Sequence, residues 1–152
     1  MNALSQRTPH IAPMTEAALD NVRALEAQQA MEHQVAILTA HTIHGGVYSR
    51  TICIPAGCMI TGVFIKISTT VIVSGHATLY TGGADDITVC GYQVIPAAAG
   101  RKQAIYAHLD TDMTMLFPTA ASTVAEAEAA FTDDVASLAS HACDNVVVIT
   151  GE

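Results

Sequence analysis

Apolar and polar positions change period three times along this chain. Residues 1–14 are polar and carry Pro9 and Pro13, which reads as an arm. The segment 15–40 begins with a helical pattern, read over 15–38. Thr15 suits an N-cap, and Glu16 and Asp20 sit where the helix dipole favours acids. Ala18, Leu19, Val22, Leu25, Ala30 and Met31 form a thin apolar stripe, so this helix needs a sheet or a partner to cover it. Gly45-Gly46 closes the helical reading. From Val47 to Phe117 the pattern is strand-like, in about eight short runs separated by turn signals. Arg50–Ile54 alternates, with Ile52 and Ile54 on one face. Pro55-Ala56-Gly57 is a turn. Met59–Ile67 and Thr69–Val73 are rich in β-branched residues, and Ser74-Gly75 marks a break before Ala77–Tyr80. Residues 82–86 read as a hairpin tip. Ile87–Cys90, Tyr92–Ile95, Gln103–His108 and Asp112–Phe117 complete the set.

The helical period then returns. Thr123-Val124-Ala125-Glu126 fits a capping box opening a short helix to about Phe131, and Thr132 or Asp133 could cap a second over roughly Asp134–His141. Val146, Val147, Val148 and Ile149 are consecutive apolar residues, which suits a terminal strand covered on both faces. That strand could close its own sheet or extend a neighbour's.

Composition sharpens this. The 152 residues are 51% apolar and 13% charged, about half the usual charged fraction, which excludes a disordered chain. The net charge of −8 argues against nucleic acid as a partner. All of that excess lies in the last 50 residues, which hold eight acids and no Lys or Arg. Between Glu32 and Asp85 there is no acid, and only Arg50 and Lys66 are formally charged. Such a stretch forms either a Thr/Ser-rich solvent face or a surface buried against another subunit. No membrane-length apolar run and no signal-peptide pattern is visible. Cys53, Cys58, Cys90 and Cys143 form no CxxC pair and read as reduced, buried thiols, with Cys53 and Cys58 possible neighbours across their turn.

The run Val47-Tyr-Ser-Arg-Thr-Ile-Cys-Ile-Pro-Ala-Gly57, continuing to Thr61-Gly62, resembles a block found in small cupin-like proteins of tailed bacteriophages. A second block follows at Pro96-Ala-Ala-Ala-Gly100-Arg101 through Ala107 to Asp110-Thr111, and a third at Phe117-Pro118-Thr119. The resemblance covers roughly residues 41–119. It implies a mainly β fold: a jelly-roll or cupin-like antiparallel barrel (41–119), with an N-terminal helix, a short C-terminal helical segment and a terminal strand in 120–152. The family pattern places histidines just after the Thr-Gly element and at the start of the next strand. This chain has Val63, Phe64, Ile65 and Lys66 at the first place and Ser68-Thr69-Thr70-Val71 at the second, which leaves metal chemistry there without ligands.

Other chemistry is sparse. His41 and His44 form a pair lacking a third ligand. His76 and His108 read as polar strand-end residues, and His10, His33 and His141 fall on the arm and helices. Asp110 and Asp112 are too few for calcium. Arg50 suits a salt bridge at the barrel mouth or, alternatively, an anionic ligand. No nucleophile, phosphate-loop or dinucleotide motif occurs.

These readings lead to a non-enzymatic virion component, a capsid decoration protein that binds neighbouring subunits. Its expected partners are itself, with two- or three-fold symmetry, and a major capsid protein, with no cofactor, nucleic acid or membrane. Leu19, Val22, Leu25 and Val146–Ile149 are the expected interface residues, with the arm and last strand clasping adjacent subunits and the acidic end facing solvent. The alternatives are a metal-dependent cupin enzyme acting on a small molecule and a metal-free barrel that sequesters one.

Overall fold

Burial alternates along most of the chain, and the strands follow it. The computed structural model describes residues 9–82, 86–141 and 145–150. It contains helix α1 (Glu16–Gln29), strands β1 (Thr39–His44), β2 (Val47–Ile54), β3 (Met59–Thr61), β4 (Thr69–Tyr80), β5 (Ile87–Ala97), β6 (Ala104–Ala107) and β7 (Thr111–Pro118), helix α2 (Val124–Phe131), and strand β8 (Asn145–Ile149). One curled sheet runs β3-β6-β4-β7-β2-β1-β8, and β5 pairs with β4. The fold is mainly β, as expected, with the helix in front and the short helix and strand behind. Every ladder is antiparallel except β1–β8, which is parallel.

The curl has two apolar centres. Ile54, Val71, Val73, Leu79, Val89 and Ile95 fill one, and Ile11 plugs it from the arm. Tyr48, Phe117 and Phe131 pack ring against ring in the other, with centroids 5.3–6.2 Å apart. Helix α1 lies outside on the sheet. Ala18, Leu19 and Val22 are buried, Leu25 is half-buried, and the Thr15 hydroxyl accepts from the Ala18 amide as an N-cap. Lys102 ties the helix down: its Nζ lies 2.8 Å from Glu26 and donates to the Gly62 carbonyl at 2.7 Å.

Several boundaries differ from the sequence reading. The first helix ends at Gln29, not at 38. The Gln34 amide takes over the carbonyls of Gln29 and Glu32, and the chain leaves in extended form with Ile37, Thr39, His41 and Ile43 buried in alternation. That alternation is β1, which the helical reading concealed. Ser74-Gly75 and Gly91 do not break the chain. They lie inside β4 and β5, each one continuous strand rather than two. Gly75 sits at φ +146°, where an added Cβ would lie 2.5 Å from Thr111 Oγ1 and 2.7 Å from the Asp110 carbonyl. Close backbone approach, not a turn, requires that glycine.

Of Met59–Ile67 only Met59–Thr61 is strand, and Ile65 makes a single bridge to Arg101. The capping box opens α2: the Glu126 amide donates to Thr123 Oγ1 at 3.2 Å, while the Glu126 carboxylate accepts from the Ser122 amide at 2.9 Å. The expected second helix is two 3₁₀ turns, Val135–Ser137 and Ala139–His141, because the Thr132 and Asp134 side chains tie up the local backbone and hydroxyl groups. Cys53 and Cys90 are exposed and Cys58 is half-buried, all with free thiols, so the reading of buried cysteines does not hold for them. Cys143 and most of the 82–86 hairpin tip lie outside the described residues, as do residues 1–8 of the arm.

The described ends of the chain stay on their own sheet. Ile11 bridges Ala97 in parallel, and the Met14 amide donates to the Gly100 carbonyl. Strand β8 closes its own sheet beside β1 and is not covered on both faces: Val146–Ile149 are each 48–52% exposed. Among the described residues no helix is long and apolar enough to cross a membrane.

Candidate functional site

The inner face of the sheet is built by alternation. One row across five paired strands reads Val71 (β4), Met115 (β7), Arg50 (β2), His41 (β1) and Val147 (β8). The curl does not close on itself with side chains. It curls around an open cavity of about 860 Å³, lined by Ile60, Ile65, Ile105, Met113 and Met115 and by residues 32–37, 136–139 and 141 among others.

Two arginines meet this cavity in opposite electrostatic states. Arg50 is paired: its Nη1 lies 3.4 Å from Glu128 Oε2 and donates to Ser140 Oγ at 3.0 Å. Glu128 is 3% exposed, and its carboxylate also accepts from Ser140 Oγ at 2.8 Å and contacts His141 Nε2 at 3.2 Å. The salt-bridge reading of Arg50 therefore holds. The expectation that all the acids of the C-terminal third face solvent does not, because Glu128 is buried against Arg50. Arg101 is different. It is 2% exposed, yet among the described residues its guanidinium donates only to neutral acceptors: the Ala98 carbonyl at 2.7 Å, the Ile67 carbonyl at 3.3 Å, Thr69 Oγ1 at 2.7 Å and the Met115 sulfur at 3.8 Å. Burial without a counter-charge pulls it down to about 10, so it remains a cation at neutral pH.

The network continues from Ser140, whose carbonyl accepts from Asn145 Nδ2 at 2.6 Å. Asn145 Oδ1 accepts from His41 Nε2 at 2.8 Å, which puts the imidazole hydrogen on Nε2. Nδ1 then accepts from the Tyr48 hydroxyl, also at 2.8 Å. Burial holds His41 below its ordinary range and raises Tyr48 to about 12. Ser140 and His141 both bind Glu128 rather than each other, so they form no nucleophile–base relay.

The other candidates are apart. His44 faces outward and contacts the Thr150 hydroxyl, on the opposite face of β1 from His41, so the pair cannot converge on one ion. The His76 and His108 rings lie tilted to each other, centroids 4.4 Å apart, beside Tyr106, and His108 Nε2 lies 2.7 Å from Thr78 Oγ1. Asp110 accepts from the Ala56 amide at 2.8 Å. Asp112 hydrogen-bonds the Cys53 thiol and pushes it up to about 11, helped by partial burial. Among the described residues no three His, Cys, Asp or Glu side chains cluster as metal ligands. The cavity lining holds Glu26, Glu32, His33, Cys58 and His141 beside the two arginines, but among the described residues no three such side chains converge as a metal site.

Of the expected interface residues, Leu19 and Val22 are buried within the chain itself, while Val146–Ile149 are half-exposed. Sequence reasoning missed Glu128, Ser140 and Gln103. Only the low charge of the barrel hinted that Glu128 would have to meet Arg50.

No family model matches the chain, and no curated protein matches it in sequence. Solved structures do. A cupin-2 domain protein from Shewanella frigidimarina matches at TM-score 0.44 and 9% identity, over 62% of this chain and 91% of its own. A cupin superfamily protein from Desulfitobacterium hafniense matches at TM-score 0.46 and 14% identity, over 74% and 98%. The cupin_2 domain of an XRE family transcriptional regulator from Enterobacter cloacae matches at 0.44 and 12%, over 55% and 99%. The chain itself has a mainly β fold, a curled sheet around an open cavity.

Proposed function

We propose that the chain is a non-enzymatic structural protein of a phage particle, a decoration protein that assembles with further copies of itself on a capsid. The observation that carries this reading is the outer face of the sheet. Across six paired strands one row reads Val94, Ile72, Thr114, Thr51, Ala40 and Val146, and the next reads Pro96, Thr70, Leu116, Ser49, Thr42 and Val148. Neither row holds a charge. Asp112 is the charged residue of the row beyond, beside Cys53, Ser74 and the 67% exposed Tyr92. Thr51 and Thr114 hydrogen-bond to each other at 2.7 Å, so part of their hydroxyl capacity is spent within the face.

A sheet face facing water normally carries charge. Two chains of net charge −8 repel, and this face is where they can meet without opposing acids. A second copy is therefore the occupant the face fits. The resemblance of residues 41–119 to phage cupin-like proteins supports the particle setting. The described part of the arm and β8 lie on their own sheet, so contact in this reading is face to face rather than by exchanged ends. Mass spectrometry of purified virions tests it: the chain is expected in stoichiometric amount, and its absence from the particle overturns the role.

A further inference from the structure

The cavity inside the sheet is not used by that role, and its polar groups are unbalanced. Arg50 is neutralised by Glu128, whereas Arg101 belongs to none of the ion pairs among the described residues. Two positions along, Gln103 faces the same cavity, while Lys102 between them turns away to Glu26 and Gly62. The Gln103 side chain is buried, 7% exposed, and its amide Nε2 has no hydrogen-bond partner. A buried donor left unpaired costs roughly 1–3 kcal/mol, and native chains rarely carry one without a reason. An uncompensated guanidinium and an orphaned amide donor thus line a space walled on their side by Val71, Ile105, Met113 and Met115; of the acids elsewhere in its lining, Glu26 is paired with Lys102 and Glu32 is exposed.

We propose that this cavity binds a small monocarboxylate, with Arg101 and Gln103 holding the carboxylate and the aliphatic and thioether wall holding an apolar body. One uncompensated cation matches one negative charge. An uncharged ligand would leave the guanidinium unbalanced, and a cation would oppose it. The apolar wall selects an acid with a hydrocarbon body over a bare anion. The volume, about 860 Å³, admits such a molecule without rearrangement of the sheet. No bond is made or broken. The site is a binding site, and it stands or falls independently of the particle role.

Isothermal titration calorimetry on the full chain, with sodium octanoate, 1-octanol and octylamine as probes, tests this. Octanoate is expected to bind saturably, one per chain, at least tenfold more tightly than octanol, with octylamine weaker still. Gln103→Leu, close in size and apolar, is expected to weaken octanoate about tenfold and leave octanol unchanged. Arg101→Met is expected to abolish the preference for the acid. Because Arg101 also holds the Ala98 and Ile67 carbonyls, that variant needs a folding check by circular dichroism. If it does not fold, the three probes and Gln103→Leu still decide the matter. Equal binding of octanoate and octanol, no saturable octanoate binding, or an unchanged octanoate affinity in Gln103→Leu would overturn the proposal and leave Arg101 as a clasp between two loops.

Discussion

His41 Nε2 donates to Asn145 Oδ1 across 2.8 Å, joining two residues 104 positions apart. Asn145 is the first residue of β8 and His41 lies in β1, so this bond helps set the parallel register of the last strand. The Tyr48 hydroxyl donates to the other ring nitrogen, a bond that requires a neutral imidazole.

Acid should loosen this arrangement first. Burial, above all, holds the folded His41 below its ordinary value of 6.5. The unfolded chain takes up the proton before the folded one does. The stabilisation is therefore intact above about pH 6.5 and is lost as pH falls toward the folded value. Urea denaturation at pH 7.5 and pH 5.5 should show a lower midpoint at the acidic pH. Asn145→Ala, which removes the acceptor, should cost about 1–3 kcal/mol at pH 7.5. An unchanged midpoint at pH 5.5 would contradict the neutral-histidine reading.

Glu128 should matter far more than its exposed acidic neighbours. Glu128→Gln leaves the buried Arg50 without its counter-charge, and losing one partner of a buried pair costs about 3–5 kcal/mol. Asp133, whose side chain is 88% exposed, pairs with Lys66, and Asp133→Asn should cost less than about 1 kcal/mol. Chemical denaturation of the two variants side by side checks the contrast.

Gly75→Ala should destabilise the chain although it lies at the middle of a long strand. The added methyl meets Thr111 Oγ1 and the Asp110 carbonyl, and φ is +146°. Gly91, at φ +92° with open space where its Cβ would be, bears only the conformational cost, about 1–3 kcal/mol. Thermal unfolding should therefore place Gly75→Ala below Gly91→Ala.

The strands were legible where burial alternates cleanly, as in β2, and where β-branched residues gather, as in β4. The capping box at Thr123 was legible because its chemistry is local. Strand β1 was hidden because its alternating set, Ile37 to Ile43, includes Thr39 and His41, polar residues that are buried by contacts far along the chain. The long strands β4 and β5 were split because a glycine demanded by an approaching backbone looks like one demanded by a turn. The candidate site was half visible. Arg50 stood out among uncharged neighbours, but its partner Glu128 lies 78 residues away, in a segment whose other acids suggested a solvated surface. Nothing local marks Arg101 and Gln103 as facing one cavity, since that depends on the curl of the sheet.

Analytical ultracentrifugation of the purified chain and of Thr114→Glu tests the central claim most directly. Thr114 lies mid-face, bonded to Thr51, so a carboxylate there would place like charges against each other in any face-to-face assembly. The account predicts a dimer, twice 15.9 kDa, for the native chain and a folded monomer for the variant. A native chain that sediments as a monomer, or an oligomer that Thr114→Glu leaves intact, would contradict it.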